Sequence, residues 1–540
     1  DACFVSAPCS EKTGLKLAPF GFPFPDVKKH PSVLTELDSR LENPEVLVKD
    51  RCGFPSILMT QISKYAGPPV DVDCELLCSM VDQLVVYHSS IMSDCDLGVC
   101  PDFDSNMWLA LNGVPNDVHA KPLAFKASAG LPWSEFGAPK KISLLSNVTT
   151  ECEGQTVEGK WFDVKNPTAT LLYDVTREKL ELAQQGLRTH SIWKDCLKDE
   201  LRSDEKIKDG KTRAFTAAPF ESVLMMRMLF AKYKLHFTSK MFALNHALGI
   251  NPHSTSWSEL AAMLRTKGKK CLDGDFSSFD GSIPRQFMLA AGDVIIRTIK
   301  EVSDDGFELA RRVMWSEIVD TIQCSWSTCY MKEHGNNSGQ PLTTPTNSIV
   351  VFLVLWYAFC KLTKNTSLSY FLDNVALITF GDDNAQNVKD DITDVYYPEA
   401  IRDEISKVGM VFTSAAKDGS MGWQTIDEIQ FLKRKFVTKS ESEVLAPLDK
   451  ESIVQCFNYT LLSADDCEGW KSTTFEQMLE ASLHGQRFYV AVQATLLNIV
   501  KKLRDSRLRN ALIPVLLISY RDAYAIVQVR AGGVQQMNDD

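Results

Sequence analysis

Two segments that are predicted to be β-strands each end at an aspartate, and this pair restricts the fold more than any other feature of the sequence. "KKCLDGDF" (269–276) reaches Asp275, and "NVALITF" (374–380) leads through one glycine to Asp382 and Asp383. Adjacent like charges repel, and burying them is costly without a positive partner. If the two strands lie side by side, the carboxylates converge and form a site for hard divalent cations.

Converging carboxylates predict phosphoryl transfer, because two Mg²⁺ ions about 4 Å apart can activate a hydroxyl and stabilise a leaving pyrophosphate. Simpler explanations remain open for parts of the pattern. The Gly-Asp-Asp sequence is also typical of a hairpin turn. Asp280 could cap a helix that begins near Ser282. Asp275 follows an apolar strand start and precedes two aromatic residues, so it is a partly buried carboxylate that needs a partner.

The segment "EHGNNSGQPLTTPTNSIV" (333–350) is rich in small hydrogen-bonding groups, including Ser338, Thr343 and Asn347. The last two can share one helix face. Hydroxyl and amide groups can pair with ribose hydroxyls, which favours a ribose-sensing role. An ordinary helix N-terminus with polar surface residues is the alternative.

The segment "KDELRSDEKIKDGKTRAF" (198–215) holds six basic residues interleaved with five acids. A solvated charged helix with i,i+4 pairs would explain this pattern. The ending "DGKT" is not a Walker motif, since the required upstream glycine is replaced by Glu205. The functional interpretation is a row of cations over a triphosphate.

Length and composition indicate a globular protein with more than one subdomain, because 540 residues are too many for one core. The net charge of −11 argues against a general nucleic-acid coat protein but allows an enzyme with a local basic channel. The N-terminus lacks a signal-peptide pattern, so the 15 cysteines are expected to be thiols. A zinc site is a minor alternative at a loose cluster formed by Cys74, Cys78, His88, Cys95 and Cys100.

Helical spacing is predicted from about residue 170 onward, including 173–187, 221–237 and the last hundred residues, whereas the first 150 suggest a loop-rich region. The longest apolar run, 349–360, is too short for a bilayer, which needs about 20 residues. It predicts a buried helix, and we expect no transmembrane segment.

Taken in order along the chain, these segments resemble the motifs of picornavirus-like viral RNA-dependent RNA polymerases, from roughly residue 44 to about 460. The motifs in question, named G, F, A, B, C, D and E in that family, are "KASAGLPW" (126–133), "KDELRSDEKIKDGKTR" (198–213), "DFSSFD" (275–280), "SGQPLTTPTN" (338–347), "FGDD" (380–383), "FTSAAKDGS" (412–420) and "FLKRKF" (431–436).

The resemblance implies an α+β fold in the shape of a closed right hand, with fingers, a palm with an antiparallel sheet flanked by helices, and a helical thumb. The implied boundaries are fingers at 1–229, palm at 230–282, a fingers insertion at 283–334, palm again at 335–440 and thumb at 441–540.

The resemblance also implies catalytic roles. Asp275 and Asp382 would hold two Mg²⁺ ions, with Asp383 assisting and Mn²⁺ able to substitute. Lys417 occupies the position of a proposed general acid for the pyrophosphate.

Further implied roles concern the nucleotide and the RNA. Asp280, Ser338 and Asn347 would select ribose over deoxyribose, with Thr343 nearby. The residues that would grip the triphosphate are Lys198, Arg202, Lys206 and Arg213. The residues that would contact RNA are Ser128 and Gly130 on the template side and Lys433 and Arg434 at the primer end.

The implied partners are a single-stranded RNA template, the product duplex, NTPs, a small protein primer linked through a tyrosine, and other viral replication proteins. The protein is expected to act at membrane-associated replication complexes in the host cytoplasm. The resemblance leaves its oligomeric state open. The basic segment "KKLRDSRLRN" (501–510) could follow the product duplex, although a solvated face explains it equally well.

Two departures from the family pattern stand out: Phe380 replaces the usual tyrosine before Gly-Asp-Asp, and the chain starts with Asp1 where released family members often start with glycine. Its length favours a virus of insects or plants.

Three alternative functions fit the sequence less well. Reverse transcriptases generally carry an aromatic steric gate at the position of Asp280. A non-enzymatic RNA-binding protein needs no converging carboxylates, and a two-metal nuclease needs no basic row.

Overall fold

The fold mixes α-helices with short, mainly antiparallel sheets, and a computed structural model defines it. The structure describes residues 4–6, 30–31, 61–65, 70–115, 117, 119–152, 155–198, 213–325, 328–332, 334–415, 421–440, 443–460 and 465–533.

The strands within these residues are β1 (Phe4–Ser6), β2 (His30–Pro31), β3 (Leu145–Cys152), β4 (Gln155–Phe162), β5 (Ile192–Leu197), β6 (Ala214–Ala217), β7 (Lys270–Phe276), β8 (Ile322–Ser325), β9 (Thr328–Met331), β10 (Val375–Phe380), β11 (Asp383–Val388), β12 (Phe412–Thr413), β13 (Gln430–Phe431), β14 (Arg434–Lys435), β15 (Val437–Thr438), β16 (Val444–Leu445) and β17 (Tyr459–Thr460).

The α-helices are α1 (Cys74–Ile91), α2 (Phe103–Asn112), α3 (Pro167–Gln184), α4 (Phe220–Ser239), α5 (Thr255–Met263), α6 (Phe279–Ser282), α7 (Arg285–Val302), α8 (Glu308–Val319), α9 (Thr343–Thr363), α10 (Leu368–Asn374), α11 (Pro398–Lys407), α12 (Lys450–Asn458), α13 (Cys467–Ser482), α14 (Gln486–Val500), α15 (Ser506–Leu516) and α16 (Tyr520–Gly533).

Among the described residues, the two largest sheets have four and five strands. A four-stranded antiparallel sheet has the order β10-β11-β7-β12, so the two strands that end at aspartates belong to one sheet. A five-stranded sheet has the order β1-β9-β8-β5-β6, with β5 and β8 parallel. The prediction of strands at 269–276 and 374–380 is therefore confirmed within one residue at each start.

Helix α9 forms the centre of the largest core. All its residues from Pro345 through Cys360 are buried, and it packs against α7, α11 and β10. The predicted buried helix is confirmed, and it is longer than the apolar run because polar residues of the preceding loop join its first turn. Among the described residues, α9 alone is long and apolar enough by itself to cross a membrane, but most of it lies inside the protein.

The C-terminal helices bury a separate cluster of side chains that includes Trp470, Tyr489 and Leu512. A smaller cluster links α5 to β13 and the residues after β14, where the Trp257 ring stacks on Phe436 with centroids 4.7 Å apart. The prediction that the last hundred residues are helical is confirmed for most of the described ones, but β16 and β17 are short strands and residues 501–505 lie between two helices. Asp505 caps α15 by accepting a hydrogen bond from the N–H of Arg507 at 2.8 Å.

The prediction of a loop-rich region over the first 150 residues was incomplete, because α1 and α2 are regular helices. Each begins at an aspartate: Asp73 accepts from the N–H of Leu76 at 3.0 Å, and Asp102 from that of Ser105 at 2.8 Å. Such side chains stabilise the first helical turn. The prolines and glycines around these helices obscured the signal.

Candidate active site

The carboxylates of the two predicted motifs lie on neighbouring strands. Strands β7 and β11 are paired so that Gly274 faces Asn384. Continuing that antiparallel register by one residue sets Asp275 opposite Asp383, and Asp382 lies in the turn between β10 and β11. The hairpin tip predicted from Gly-Asp-Asp is thus present, and it lies beside the strand end that carries Asp275.

Two glycines make this arrangement possible. Gly381 has a φ of +62°, a left-handed conformation that favours glycine, and its N–H donates to the Ser348 hydroxyl at 2.9 Å. At Gly274, a Cβ atom would lie 2.2 Å from the ring of Phe412 on β12. Any larger side chain there would push β12 away from Asp275.

The donor set suits a hard divalent cation in chemical type. Asp275 and Asp383 are half-buried, and Asp382 is exposed. Within the part of the chain that the structure describes, no group of three or more His, Cys, Asp or Glu side chains could hold a metal by itself. Mg²⁺ commonly uses only one or two protein carboxylates and takes its other ligands from water and substrate phosphates. One or two of these aspartates, completed by water and substrate phosphates, therefore match Mg²⁺ in chemical type.

The same finding bears on the minor alternative of a zinc site near α1. The cysteines of that loose cluster are exposed or half-buried, whereas His88 is buried, and burial lowers its pKa to about 3. No metal-binding group forms at this cluster among the described residues. The zinc alternative receives no support.

Asp280 meets the start of α9 rather than capping α7. The Asn347 side-chain amide donates to the Asp280 carboxylate at 2.8 Å, and the N-cap of α7 is Pro284. The backbone also joins these segments, since the N–H of Asn336 donates to the Asp280 carbonyl at 2.6 Å. Two of the three residues predicted to read the ribose, Asp280 and Asn347, are therefore in direct contact.

The loop before α9 is held by buried groups that the sequence did not single out. Gly335 has a φ of +91°, and a Cβ there would lie 2.5 Å from the Asp280 carbonyl oxygen. Lys332 is buried and donates to the Gly335 carbonyl at 2.7 Å. Burial lowers the pKa of Lys332 to about 7, although Asp320 and Asp280 oppose the shift. A sequence signal for this buried cation was absent.

Ser338 and Thr343 occupy the same loop but have different surroundings. The Thr343 hydroxyl donates to the carbonyls of Asn337 and Gln340, at 3.1 and 2.8 Å, so it stabilises the loop. Ser338 is half-buried and lines a cavity of about 470 Å³. Ala127 also lines this cavity, so the segment around Ser128 lies next to the loop before α9.

Ser128 and Gly130 differ in their surroundings. Ser128 is exposed, and its carbonyl accepts from the Lys141 ammonium at 2.5 Å. Burial lowers the pKa of Lys141 to about 8. Gly130 is buried with a φ of +71°, and a Cβ there would lie 2.5 Å from the Ala218 carbonyl oxygen. Gly130 shapes the turn, and Ser128 is presented at the surface.

The basic segment is described only at its two ends. The N–H of Lys198 donates to the Arg213 carbonyl at 2.8 Å, which extends the pairing of β5 with β6. Lys198 is half-buried and Arg213 is exposed. Arg202, Lys206 and the proposed general acid Lys417 lie outside the described residues.

Lys64 is a second cation that sequence reasoning missed. Its stem packs on α6, where a Cβ at Gly281 would lie 2.5 Å from the Lys64 Cδ. Burial lowers the pKa of Lys64, and the Asp280 carboxylate opposes this change. The charges of Lys198 and Arg213 lower the pKa further. Lys64 therefore shares the electrostatic field of Asp280 and of Lys198 and Arg213 at the two ends of the basic segment.

The hairpin of β13 and β14 presents Lys433 at its tip. Lys433 is exposed with a φ of +59°. The neighbouring Arg434 points toward the C-terminal helices, where its guanidinium donates to both Glu480 carboxylate oxygens, at 2.6 and 3.1 Å. It also donates to the Ala446 carbonyl at 2.6 Å. Arg434 thus links the hairpin to α13.

Comparison with known proteins is consistent with this geometry. A family model described as viral RNA-dependent RNA polymerase matches residues 59–500. The chain belongs to the viral RNA-dependent RNA polymerase family. The polymerase is 31% identical over 462 residues to the replication polyprotein of Nora virus, covering 85% of this chain and 21% of that protein.

Other relatives are also long polyproteins. The replicase polyprotein of acute bee paralysis virus is 31% identical over 58% of the polymerase and 17% of its own length. The RNA1 polyprotein of cowpea mosaic virus is 28% identical over 75% of the polymerase and 21% of its own length. The polymerase thus spans about a fifth of the length of the curated relatives it matches.

A solved structure shares the fold. The Sicinivirus 3Dpol RNA-dependent RNA polymerase superposes with a TM-score of 0.70, covering 95% of this chain and 99% of that one, at 19% identity. The right-hand α+β fold predicted for the polymerase is confirmed.

Proposed function

We propose that this polymerase copies single-stranded viral RNA by adding nucleotides from NTPs to the 3′ end of an RNA or protein-linked primer, as part of replicating a positive-strand genome. The observation that carries the proposal is the pairing of β7 with β11, which ends with Gly274 opposite Asn384 and so brings the strand end at Asp275 beside the β10–β11 turn that carries Asp382. Carboxylates at a strand end and a hairpin tip suit two-metal phosphoryl transfer, and the basic segment at 198–213 favours nucleotidyl transfer over hydrolysis by a nuclease.

In this proposal Asp275 and Asp382 hold two Mg²⁺ ions and Asp383 assists, with Mn²⁺ able to substitute. The bound ions supply activation of the primer hydroxyl and stabilisation of the leaving pyrophosphate. The chain's part is to fix the carboxylates, which it does through the strand pairing and the turn at Gly381.

The triphosphate is bound by cations on the fingers side. Lys198 and Arg213 begin and end the basic segment, and Arg202 and Lys206 lie between them in the sequence. Lys64 adds a cation next to Asp280, and Lys417 donates the proton to pyrophosphate. Cations at these positions offset the negative charge that develops on the leaving group.

Ribose is recognised by Asp280 and Asn347. Their hydrogen bond holds the Asp280 carboxylate as an acceptor for a 2′-hydroxyl, which a deoxyribonucleotide lacks. Ser338 lies farther along the same loop, and Thr343 supports that loop.

RNA is bound on two sides of this centre. Ser128 contacts the template next to Ala127, which lines the cavity shared with the loop before α9, and Gly130 shapes the Ser128 turn. Lys433 contacts the primer backbone, while Arg434 holds its hairpin against α13. Lys501 and Lys502 are exposed between α14 and α15 and can follow the product duplex.

The subdomain boundaries stated above accompany this proposal: fingers to 229, palm segments at 230–282 and 335–440, a fingers insertion between them, and thumb from 441. The proposal also includes a small protein primer and other viral replication proteins as partners. It places the polymerase at membrane-associated replication complexes in the host cytoplasm. The named bee and cowpea viruses among the relatives support a host among insects or plants.

Primer extension tests the proposal. Purified protein receives an RNA template, an annealed RNA primer, NTPs and either Mg²⁺ or a chelator, and the products are separated on a gel. Extension that depends on metal and template supports the proposal. Absence of product, while a known polymerase extends the same substrate, overturns it.

A further inference from the structure

We propose that Asn336 and Gln340 are positioning residues for ribose selection, because they hold the Asn347 amide in the orientation that faces Asp280. This inference rests on the proposed ribose-reading role of Asp280 and Asn347. It concerns two buried side chains that are hydrogen-bonded to each other and, through Asn336, to Asn347, and not to the Asp280 carboxylate.

Four hydrogen bonds run in one direction through the loop. The N–H of Leu342 donates to Gln340 Oε1 at 2.7 Å, and Gln340 Nε2 donates to Asn336 Oδ1 at 3.2 Å. Asn336 Nδ2 then donates to Asn347 Oδ1 at 2.7 Å, and Asn347 Nδ2 donates to Asp280 Oδ1 at 2.8 Å. We call this series the amide relay.

The two ends of the amide relay fix the orientation of every amide between them. A backbone N–H such as that of Leu342 can only donate, and an ionised carboxylate such as that of Asp280 can only accept. Each amide between these ends must therefore accept on one side and donate on the other. Reversing a single amide would place two donors or two acceptors in contact.

Burial makes this orientation costly to lose. The exposed fraction is 0% for Asn336, 5% for Gln340 and 6% for Asn347, so water cannot readily replace a missing partner. With Asn336 removed, the Asn347 amide loses the contact that directs its oxygen away from Asp280. An inverted Asn347 would then repel the Asp280 carboxylate and displace it from the 2′-hydroxyl.

The neighbouring residue Asn337 provides a matched control. Asn337 is as buried as Asn336, with 0% exposed, but its side chain has other partners. Its amide oxygen accepts from Gln323 and its amide nitrogen donates to Thr321, both at 2.6 Å. Replacing Asn337 disturbs the same loop and the same burial without touching the amide relay.

The test compares Asn336→Leu with Asn337→Leu, both nearly isosteric and uncharged. The measured quantity is the ratio of kcat/KM for a ribonucleotide to kcat/KM for the matching deoxyribonucleotide. We expect Asn336→Leu to lower the ratio about tenfold, the effect of roughly one lost hydrogen bond to a buried group. Asn337→Leu should keep the ratio within about twofold of the wild type, whatever it does to total activity.

A second arm separates positioning from general damage. Gln340→Met removes the side chain that anchors the amide relay and introduces no buried charge. It should therefore also lower the ratio of ribonucleotide to deoxyribonucleotide use. Adding Asn336→Leu to Asn347→Ala should change the ratio no further, because Asn336 acts through Asn347. The Gln340→Met comparison does not contain Asn336→Leu, so it still tests the amide relay if Asn336→Leu fails to fold.

The outcomes distinguish this inference from the proposed function. If Asn347→Ala lowers the ratio but neither Asn336→Leu nor Gln340→Met does, the relay is overturned and the ribose-reading role stands. If Asn336→Leu and Asn337→Leu lower the ratio equally, the relay is also overturned. If Asp280→Ala and Asn347→Ala both leave the ratio unchanged, the ribose-reading role falls and the relay with it.

Discussion

The backbone N–H of Gly381 donates a 2.9 Å hydrogen bond to the hydroxyl of Ser348. This bond joins the turn that carries Asp382 to the helix that carries Asn347. The groups proposed to hold the metals and the groups proposed to read the ribose are therefore attached to one another by a buried contact.

Ser348→Ala should leave the Gly381 N–H without its acceptor and loosen the turn before Asp382. An unsatisfied buried donor costs about 1–3 kcal/mol. We expect a lower kcat and a higher Mg²⁺ concentration for half-maximal extension, measured by metal titration in the primer-extension assay. An unaltered metal requirement would contradict the positional role of Ser348.

Asp382→Asn should reduce the extension rate by at least ~10³-fold, because loss of a metal ligand removes several kcal/mol of transition-state stabilisation. Single-turnover extension measures the effect. Asp390→Asn, at an exposed position beyond β11, serves as the control and should extend normally. Near-normal elongation by Asp382→Asn would remove this residue from the proposed metal site.

Asp280→Ala should raise the relative use of deoxyribonucleotides, since it removes the acceptor held by Asn347. We expect the discrimination ratio to fall roughly tenfold or more, the value of one charge-assisted hydrogen bond. Competition between a ribonucleotide and its deoxy analogue in one reaction measures it. A ratio equal to that of the wild type would contradict the role.

Lys64→Met should weaken NTP binding more than it slows chemistry, because it removes a cation beside Asp280 while keeping the apolar stem that packs on Gly281. Loss of about 1 kcal/mol of attraction corresponds to roughly a fivefold higher KM for NTP. Steady-state kinetics on a preformed primer-template separate KM from kcat. Lys389→Met, an exposed lysine after β11, is the control; an equal change in both variants would refute a specific role for Lys64.

Glu480→Gln should reduce stability at neutral pH but not at strongly acidic pH. Burial alone would raise the pKa of Glu480, but hydrogen bonds and charges from His253 and Arg434 lower it from 4.5 to about 2. A depressed carboxyl pKa stabilises the fold fully above about pH 4.5, and this contribution is lost as the pH falls toward 2. The shift in the pKa of Glu480 corresponds to a contribution of about 3 kcal/mol to the free energy of unfolding at neutral pH.

Thermal unfolding midpoints of the wild type and Glu480→Gln, compared at pH 7 and pH 3, check this prediction. The gap between them should narrow at the lower pH. Glu476→Gln on the same helix breaks a more exposed pair with Arg530 and should have little effect. If the difference between the two unfolding midpoints stays constant from pH 7 to pH 3, the ionised Glu480 carboxylate is not the source of the stabilisation.

Local patterns determined much of this protein. Short apolar or β-branched segments that end at aspartates identified β7 and the β10–β11 hairpin, and the long apolar run identified the core of α9. These signals are properties of consecutive residues, so they can be read from the sequence without knowledge of the fold. The conjunction of motifs then indicated the family and the fold, both of which are confirmed. The α1 and α2 helices were missed because turn-forming residues surround them.

Only the tertiary structure decided which partner each polar group finds. The sequence allowed Asp280 to cap a helix or to read a sugar, and its contact with Asn347, 67 positions away, came from packing. Arg434 was predicted to touch RNA, yet its guanidinium is bound to Glu480, 46 positions away. Lys64 carries no local signal at all. A buried charge or amide is stabilised by whatever group the fold brings within hydrogen-bond reach, and that group lies outside any local window of sequence.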